Sequence, residues 1–87
     1  MNPRPPIAYP LNIINEIDQF WYDKIRSKGV GIFDSSHEIL GKLFEEFHEF
    51  GDAVHDNNLI AQRAELLDII VIAAHGIASI DSGKMGK

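Results

Sequence analysis

The segment from Leu66 to Ile80, which reads LLDIIVIAAHGIASI, restricts the possible folds more than any other part of the chain. Only Asp68, His75 and one serine interrupt its apolar and small residues. A helix that is apolar on nearly all sides is a buried helix. A carboxylate within it must be paired, protonated or bound to a cation, because burial of a bare charge costs several kcal/mol. Asp68 is therefore either a salt-bridge partner, for example of Arg63, or a functional acid.

Asp68 belongs to a set of four acids that form two pairs, each with a spacing of three residues. The segment KLFEEFHEF contains Glu46 and Glu49, and the segment AELLDII contains Glu65 and Asp68. Residues three apart on a helix lie on nearly the same face, so two packed antiparallel helices would gather four carboxylates at one place. Four negative charges repel each other, and the pattern therefore predicts a hard divalent cation, Mg²⁺ first and Mn²⁺ as an alternative.

The helical positions of these acids indicate which side chains could share the site. At about 100° per residue, Glu65 lies about 60° and His75 about 20° from the direction of Asp68, which makes a narrow polar strip. Glu46 lies at one edge of the apolar stripe of its helix, whereas Glu45 points towards the outer face. A carboxylate that is not fully used as a ligand can orient or deprotonate an attacking water, and any of the four acids could take that role.

Hydrophobic spacing and turn residues predict three helices and no strand. The first helix is predicted from Leu11 to about Ser27 and is followed by the glycine-containing loop KGVGIFD. Ser35 with Glu38 fits a capping box at the start of a second helix, which runs to about residue 56. The third helix is predicted from about residue 59 to residue 80. These helices make one domain over residues 11–80, between a proline-rich leader (1–10) and a polar tail (81–87) that is expected to fray.

The composition favours an assembly of several chains. With 87 residues the chain is a single small domain, and it has no cysteine that could cross-link it. Yet 45% of its residues are hydrophobic, and such a chain can share its apolar helical faces with other copies. The predicted fold is all-α, a three-helix protomer that assembles into a helical-bundle dimer or tetramer. The predicted apolar stripes consist of Ile14, Ile17, Trp21 and Ile25 on the first helix and Leu40, Leu43, Phe44, Phe47, Phe50 and Val54 on the second.

Charge and hydropathy argue against two classes of partner. The net charge of −5 disfavours sequence-independent binding to nucleic acid, which needs a basic surface. The apolar run near the C-terminus is shorter than the about 20 residues of a membrane span and contains an acid and a histidine. The N-terminal sequence MNPRPPIAYP lacks the apolar core of a signal peptide. We therefore expect a cytoplasmic protein that binds neither membrane nor nucleic acid.

The two acidic half-motifs together resemble a known signature. EEFHE at positions 45–49, followed after a gap of 15 residues by ELLD at positions 65–68, is similar to the Glu-x-x-Glu and Glu-x-x-Asp signature of the all-α nucleoside triphosphate pyrophosphohydrolases, the MazG-like group. The apolar run after Asp68 and an aromatic N-terminal helix, FWYDK, extend the resemblance over about residues 11–80. His48 stands where the family often has Gly, and Ala64 stands where it often has Glu.

The resemblance implies a function and assigns roles to residues. It implies an α-helical dimer or dimer of dimers that hydrolyses a (deoxy)nucleoside triphosphate to the monophosphate and pyrophosphate. Such enzymes remove non-canonical or surplus nucleotides. The residues that match the family's Mg²⁺ ligands and catalytic acids are Glu46, Glu49, Glu65 and Asp68. Further candidates for contact with the nucleotide substrate are Trp21, Lys24, His75 and Glu45.

Other functions remain open on the sequence. Glu45-x-x-His48 and Asp52-x-x-His55 have the spacing of acid and histidine ligands in di-iron bundles, but they fall on the face opposite Phe47 and are expected to face solvent. A non-catalytic helical oligomer that senses nucleotides or binds a partner would explain the same acids without a reaction. A metal-carboxylate protein of another reaction class is the remaining alternative.

Overall fold

The computed structural model describes residues 3–86, which form three helices: α1 (Leu11–Lys28), α2 (Ser36–His55) and α3 (Leu59–Asp81). These residues contain no strand, so the all-α prediction is confirmed. Each helix ends within one residue of its predicted end. Residues 1 and 2 of the predicted leader and residue 87 of the predicted tail lie outside the described part of the chain.

The start of α2 is fixed by side-chain hydrogen bonds. Ser35 is the N-cap, and its hydroxyl accepts the backbone N–H of Glu38 at 3.3 Å. The Glu38 carboxylate accepts the N–H of Asp34 at 2.7 Å, one residue before the position that a regular capping box would use. The predicted cap is therefore present, with its second hydrogen bond displaced by one residue.

A short turn at residues 56–58 connects α2 to α3. Asn57 has a φ of 54°, in the left-handed region that asparagine enters more readily than most residues. Asn58 then caps α3, because its side-chain oxygen accepts the N–H of Ala61 at 3.0 Å. So short a connection makes α2 and α3 antiparallel neighbours, which brings the two acidic pairs onto facing helices.

Helix α3 is the central element and packs against both α2 and α1. Val71, Gly76 and Ser79 are its buried residues. Gly76 allows α2 to approach closely, since a Cβ at this position would lie 3.3 Å from Cγ2 of Ile39. Although α3 is largely apolar, none of the helices within residues 3–86 is both long and apolar enough to cross a membrane.

The protomer leaves many of its large hydrophobic side chains exposed. Among residues 3–86, the only hydrophobic side chains that are buried are Ala53 and Val71, at 6% and 3% exposure. Phe44 is 63% exposed, and Ile77 is 61% exposed. The predicted stripe of α2 is thus only partly covered by α3.

The C-terminal tail lies against the rest of the protein up to residue 86. The backbone N–H of Gly86 donates to the carbonyl of Asp34 at 2.6 Å, whereas the sequence suggested a fraying segment. Residues 3–10 form no helix or strand, as expected of a proline-rich leader. The end of the tail is therefore joined by a hydrogen bond to the segment that leads into α2.

Candidate functional site

Three of the four predicted acids meet between α2 and α3. Glu46, Glu49 and Glu65 each offer a carboxylate oxygen, and these oxygens all lie within 4.8 Å of one another. Glu46 and Glu65 are partly buried, and Glu49 is exposed. The i,i+3 spacing on α2 and the antiparallel packing of α3 produce this arrangement of three acids, whereas the sequence predicted a site shared by all four. We refer to these three residues as the carboxylate cluster.

Two oxygens of the carboxylate cluster are buried without a partner. Oε2 of Glu46 and Oε2 of Glu65 accept no hydrogen bond from any residue in the described part of the chain. A buried polar atom in this state costs about 1–3 kcal/mol, and a proton, a water molecule or a bound cation could supply the missing partner. Carboxylate oxygens are the preferred ligands of Mg²⁺ and of other hard divalent ions. The donor set of the cluster therefore fits a hard divalent cation.

The pKa values of Glu46 and Glu49 are raised in the cluster, where the carboxyl groups lie close together. Burial, the adjacent Glu65 carboxyl and the charges of neighbouring acids raise the pKa of Glu46 to about 8. The adjacent carboxyl of Glu65, followed by its charge, raises the pKa of Glu49. Like charges at short distance disfavour ionisation, and the cluster consequently holds a proton at neutral pH when no cation is bound.

The fourth acid, Asp68, lies beside the cluster and pairs with Lys24. Its Oδ1 is 3.4 Å from the Lys24 ammonium, which also lies 4.7 Å from the centre of the Phe20 ring. Asp68 is still close enough for its charge to raise the pKa of Glu46. The sequence had suggested Arg63 as a structural partner of Asp68. Arg63 instead forms a bidentate ion pair with Glu16, in which the two guanidinium nitrogens lie 2.9 and 2.6 Å from the two carboxylate oxygens.

His75 lies within a hydrogen-bond network that joins α3 to α1 and to the α1–α2 loop. Its Nδ1 accepts the indole N–H of Trp21 at 3.0 Å. Its Nε2 faces the carbonyl of Gly31 at 2.7 Å, and because a carbonyl can only accept, Nε2 carries the proton. Both ring nitrogens thus bind protein atoms, and the ring has no nitrogen left for a substrate in this arrangement.

Ser79 completes this network and was not singled out by the sequence patterns. Its hydroxyl accepts the N–H of Phe33 at 2.9 Å and donates to the carbonyl of His75 at 2.8 Å. The side chain is fully buried. The available signal was its place in the apolar run, where a hydroxyl four residues after His75 can bond back to the helix.

The other candidates for substrate contacts have different surroundings. Trp21 and Lys24 line a cavity next to the cluster, together with Lys42, which the sequence patterns did not single out. The available signal was the position of Lys42 one helical turn before Glu46, on the same face of α2. Glu45 is exposed, and its charge contributes to the raised pKa of Glu49.

The acid–histidine pairs of α2 face solvent, as expected. Nε2 of His48 lies 3.7 Å from a carboxylate oxygen of Asp52, and both side chains are largely exposed. Glu45 and His55 are exposed as well. None of these four residues belongs to a group that could hold a metal ion within residues 3–86. The arrangement therefore gives no support to a di-iron site on this face.

Comparison of the chain with protein-family models, with curated proteins and with solved structures finds no match. A function for this chain must therefore be inferred from its residues and from their geometry.

Proposed function

We propose that the protein is a Mg²⁺-dependent nucleoside triphosphate pyrophosphohydrolase of the MazG-like kind. It would convert a (deoxy)nucleoside triphosphate to the monophosphate and pyrophosphate, as a step in clearing unwanted nucleotides. The observation that carries the proposal is the pair of buried, unpartnered oxygens on Glu46 and Glu65 within the carboxylate cluster. A cation bound there would complete their coordination and relieve the repulsion among the acids.

The four acids take two different roles in the proposed reaction. Glu46, Glu49 and Glu65 would hold the metal, because their oxygens converge. A bound Mg²⁺ supplies neutralisation of the charge that develops on phosphate oxygens. Asp68 stands apart from the cluster and makes contact with Lys24 through one oxygen. Its carboxylate is thus the one that can orient an attacking water and accept its proton. Mn²⁺, which accepts the same oxygen ligands, is the expected substitute.

The proposed active form is a homodimer or homotetramer. Support comes from the exposed apolar surface of α2 and α3, which includes Phe44 and Ile77. A chain of this size buries too little of that surface alone, and a second copy would supply the missing cover. The antiparallel α2–α3 pair also presents its exposed stripe in a form suited to helix–helix packing.

The direct test is pyrophosphate release from a panel of canonical and modified (deoxy)nucleoside triphosphates, with and without Mg²⁺. The proposal expects metal-dependent release of pyrophosphate together with a nucleoside monophosphate. Glu49→Gln should abolish it, because Glu49 is a cluster acid whose exposure makes the change harmless to folding. Asp18→Asn, which changes an exposed acid of α1 outside the cluster, is the control. Release of single phosphates, or activity that survives Glu49→Gln, would contradict the proposal.

One observation favours the alternative of a non-catalytic helical oligomer that senses nucleotides or binds a partner. The Lys24 ammonium already provides a positive charge next to Asp68 without any metal. If the Lys24–Asp68 pair and a proton shared among the cluster acids offset the repulsion between the carboxylates, no divalent cation is needed to stabilise them. The same panel distinguishes the two functions, because a binding module would be stabilised by a nucleotide or by Mg²⁺ without turning any nucleotide over.

A further inference from the structure

A cavity of about 250 Å³ opens beside the carboxylate cluster, between α1, the α1–α2 loop, α2 and α3. Glu46 belongs both to the cluster and to the wall of this cavity. Much of the remaining wall is apolar or aromatic and includes Trp21, Val30, Phe33 and Val71. A ligand in the cavity would therefore contact the cluster on one side and an apolar surface on the other.

Two lysines from different helices reach the same cavity. Lys24 comes from α1, one turn after Trp21, and Lys42 comes from α2, one turn before Glu46. Lys24 has Asp68 as a partner, whereas Lys42 forms no ion pair with any residue of the described chain. Both side chains carry a positive charge at the wall of one cavity, so an anion bound there would be attracted by both.

Lys42 is exposed and lies one helical turn before the partly buried Glu46 on α2. No ion pair joins Lys42 to an acid within residues 3–86. The Lys42 ammonium is thus free to bind an external anion.

We propose that Lys24 and Lys42 bind the phosphate chain of the substrate at the mouth of this cavity, with the apolar wall facing the organic part of the ligand. The inference rests on the proposed function and adds the side chains that would bind the substrate's phosphates. Lysine ammonium groups bind phosphate oxygens through charge-assisted hydrogen bonds. In the bound state Lys24 shares its ammonium between Asp68 and the phosphate, and Lys42 gains its first partner.

Lys42→Gln is the decisive variant, because Lys24→Gln would also leave Asp68 unpaired. The full chain is titrated calorimetrically with inorganic pyrophosphate at constant ionic strength and in excess Mg²⁺. We expect Lys42→Gln to weaken binding roughly tenfold, the order of one lost charge-assisted hydrogen bond. Lys42→Arg, which keeps the charge, should retain most of the affinity. Lys84→Gln, which makes the same charge change on an exposed tail residue, should bind like the wild type.

Two results would overturn the inference: equal affinity in the wild type and Lys42→Gln, or no binding of pyrophosphate by the wild type. Nucleotide turnover by the same proteins separates this inference from the proposed reaction. Pyrophosphate binding that depends on Lys42, without any nucleotide turnover, would contradict the proposed reaction and support the phosphate site. Nucleotide turnover with an unchanged KM in Lys42→Gln would support the proposed reaction and contradict the phosphate site.

Discussion

The indole N–H of Trp21 donates a hydrogen bond of 3.0 Å to Nδ1 of His75, so these two candidates for ligand binding are bonded to each other. The opposite nitrogen of His75 donates to the carbonyl of Gly31 at 2.7 Å. The neutral ring therefore joins the middle of α1, the following loop and α3. Because direct packing between α1 and α3 is limited, this network helps to hold α1 beside the carboxylate cluster, together with the Glu16–Arg63 and Lys24–Asp68 ion pairs.

Trp21→Phe tests the contribution of this contact. The change keeps an aromatic ring but removes the N–H, which leaves Nδ1 of His75 without its donor. We expect a loss of about 1 kcal/mol in the free energy of unfolding. For a chain of this size that lowers the Tm by roughly 4–8 °C, measured at fixed protein concentration. Tyr22→Phe removes a hydroxyl from an exposed neighbouring aromatic and should leave the Tm nearly unchanged. Equal Tm values for the two variants would contradict the assignment.

Ser79→Ala should destabilise the protein through the α1–α2 loop. The fully buried hydroxyl is the acceptor for the N–H of Phe33, and its removal leaves that donor unpaired. The expected cost is about 1–3 kcal/mol, measured by urea denaturation. Ser27→Ala removes an exposed hydroxyl that donates to the carbonyl of Asp23 within α1, so the loss in the free energy of unfolding should be small. A smaller loss for Ser79→Ala than for Ser27→Ala would show that the loop does not depend on this bond.

The sequence predicted the helices well because the local signals are strong. Ser35 and Asn58 are good caps, and Gly29 ends α1 in the left-handed conformation that glycine adopts readily. The convergence of Glu46, Glu49 and Glu65 followed from their spacing and from the short turn at residues 56–58. These are local features of the chain.

The contacts of α1 could not be predicted in the same way. The pairing of Lys24 with Asp68 and the approach of Lys42 to the same cavity depend on how α1 lies across α3, which no local pattern encodes. Arg63 is near Asp68 in sequence but turns to Glu16 on α1 for the same reason. Helical spacing identifies a face, and only the packing decides which partner that face meets.

Without divalent metal, the stability of the protein should fall as the pH rises. The pKa of Glu46 is raised to about 8 from its ordinary 4.5, so the folded chain binds a proton between these values that the unfolded chain has released. The free energy of unfolding therefore decreases with pH across this interval. Tm measurements between pH 5 and pH 9 check the slope.

Glu46→Gln supplies the test of that slope. The variant cannot lose the proton, so the decline between about pH 4.5 and pH 8 should flatten in it. Glu45→Gln changes an exposed residue of the same type and should keep most of the decline. Because a metal displaces the bound proton, stabilisation by Mg²⁺ should grow as the pH rises. A wild-type Tm that increases with pH without metal would contradict the account of the cluster.

Phe44→Glu should disrupt the proposed assembly. Phe44 is 63% exposed in the protomer and lies on the uncovered stripe of α2. A charge at the centre of an apolar interface is costly, so the variant should elute as a smaller species and show a lower Tm. Ile7→Glu alters an even more exposed residue, in the leader segment, and should keep the wild-type mass. Analytical ultracentrifugation measures the mass of the assembly formed by each variant. An unchanged mass for Phe44→Glu would contradict an interface at this stripe of α2.

The most direct test of the central claim is the Tm of the wild type and of Glu49→Gln at pH 8, with and without Mg²⁺. A metal held by Glu46, Glu49 and Glu65 binds only the folded chain, and at a hundred times its Kd it adds about 2.7 kcal/mol of stability. We predict a clear rise in the wild-type Tm, no rise in Glu49→Gln, and an unchanged rise in Asp18→Asn, which changes an exposed acid outside the cluster. If Mg²⁺ and Mn²⁺ leave the wild-type Tm unchanged, or raise it equally in Glu49→Gln, the carboxylate cluster is not a metal site.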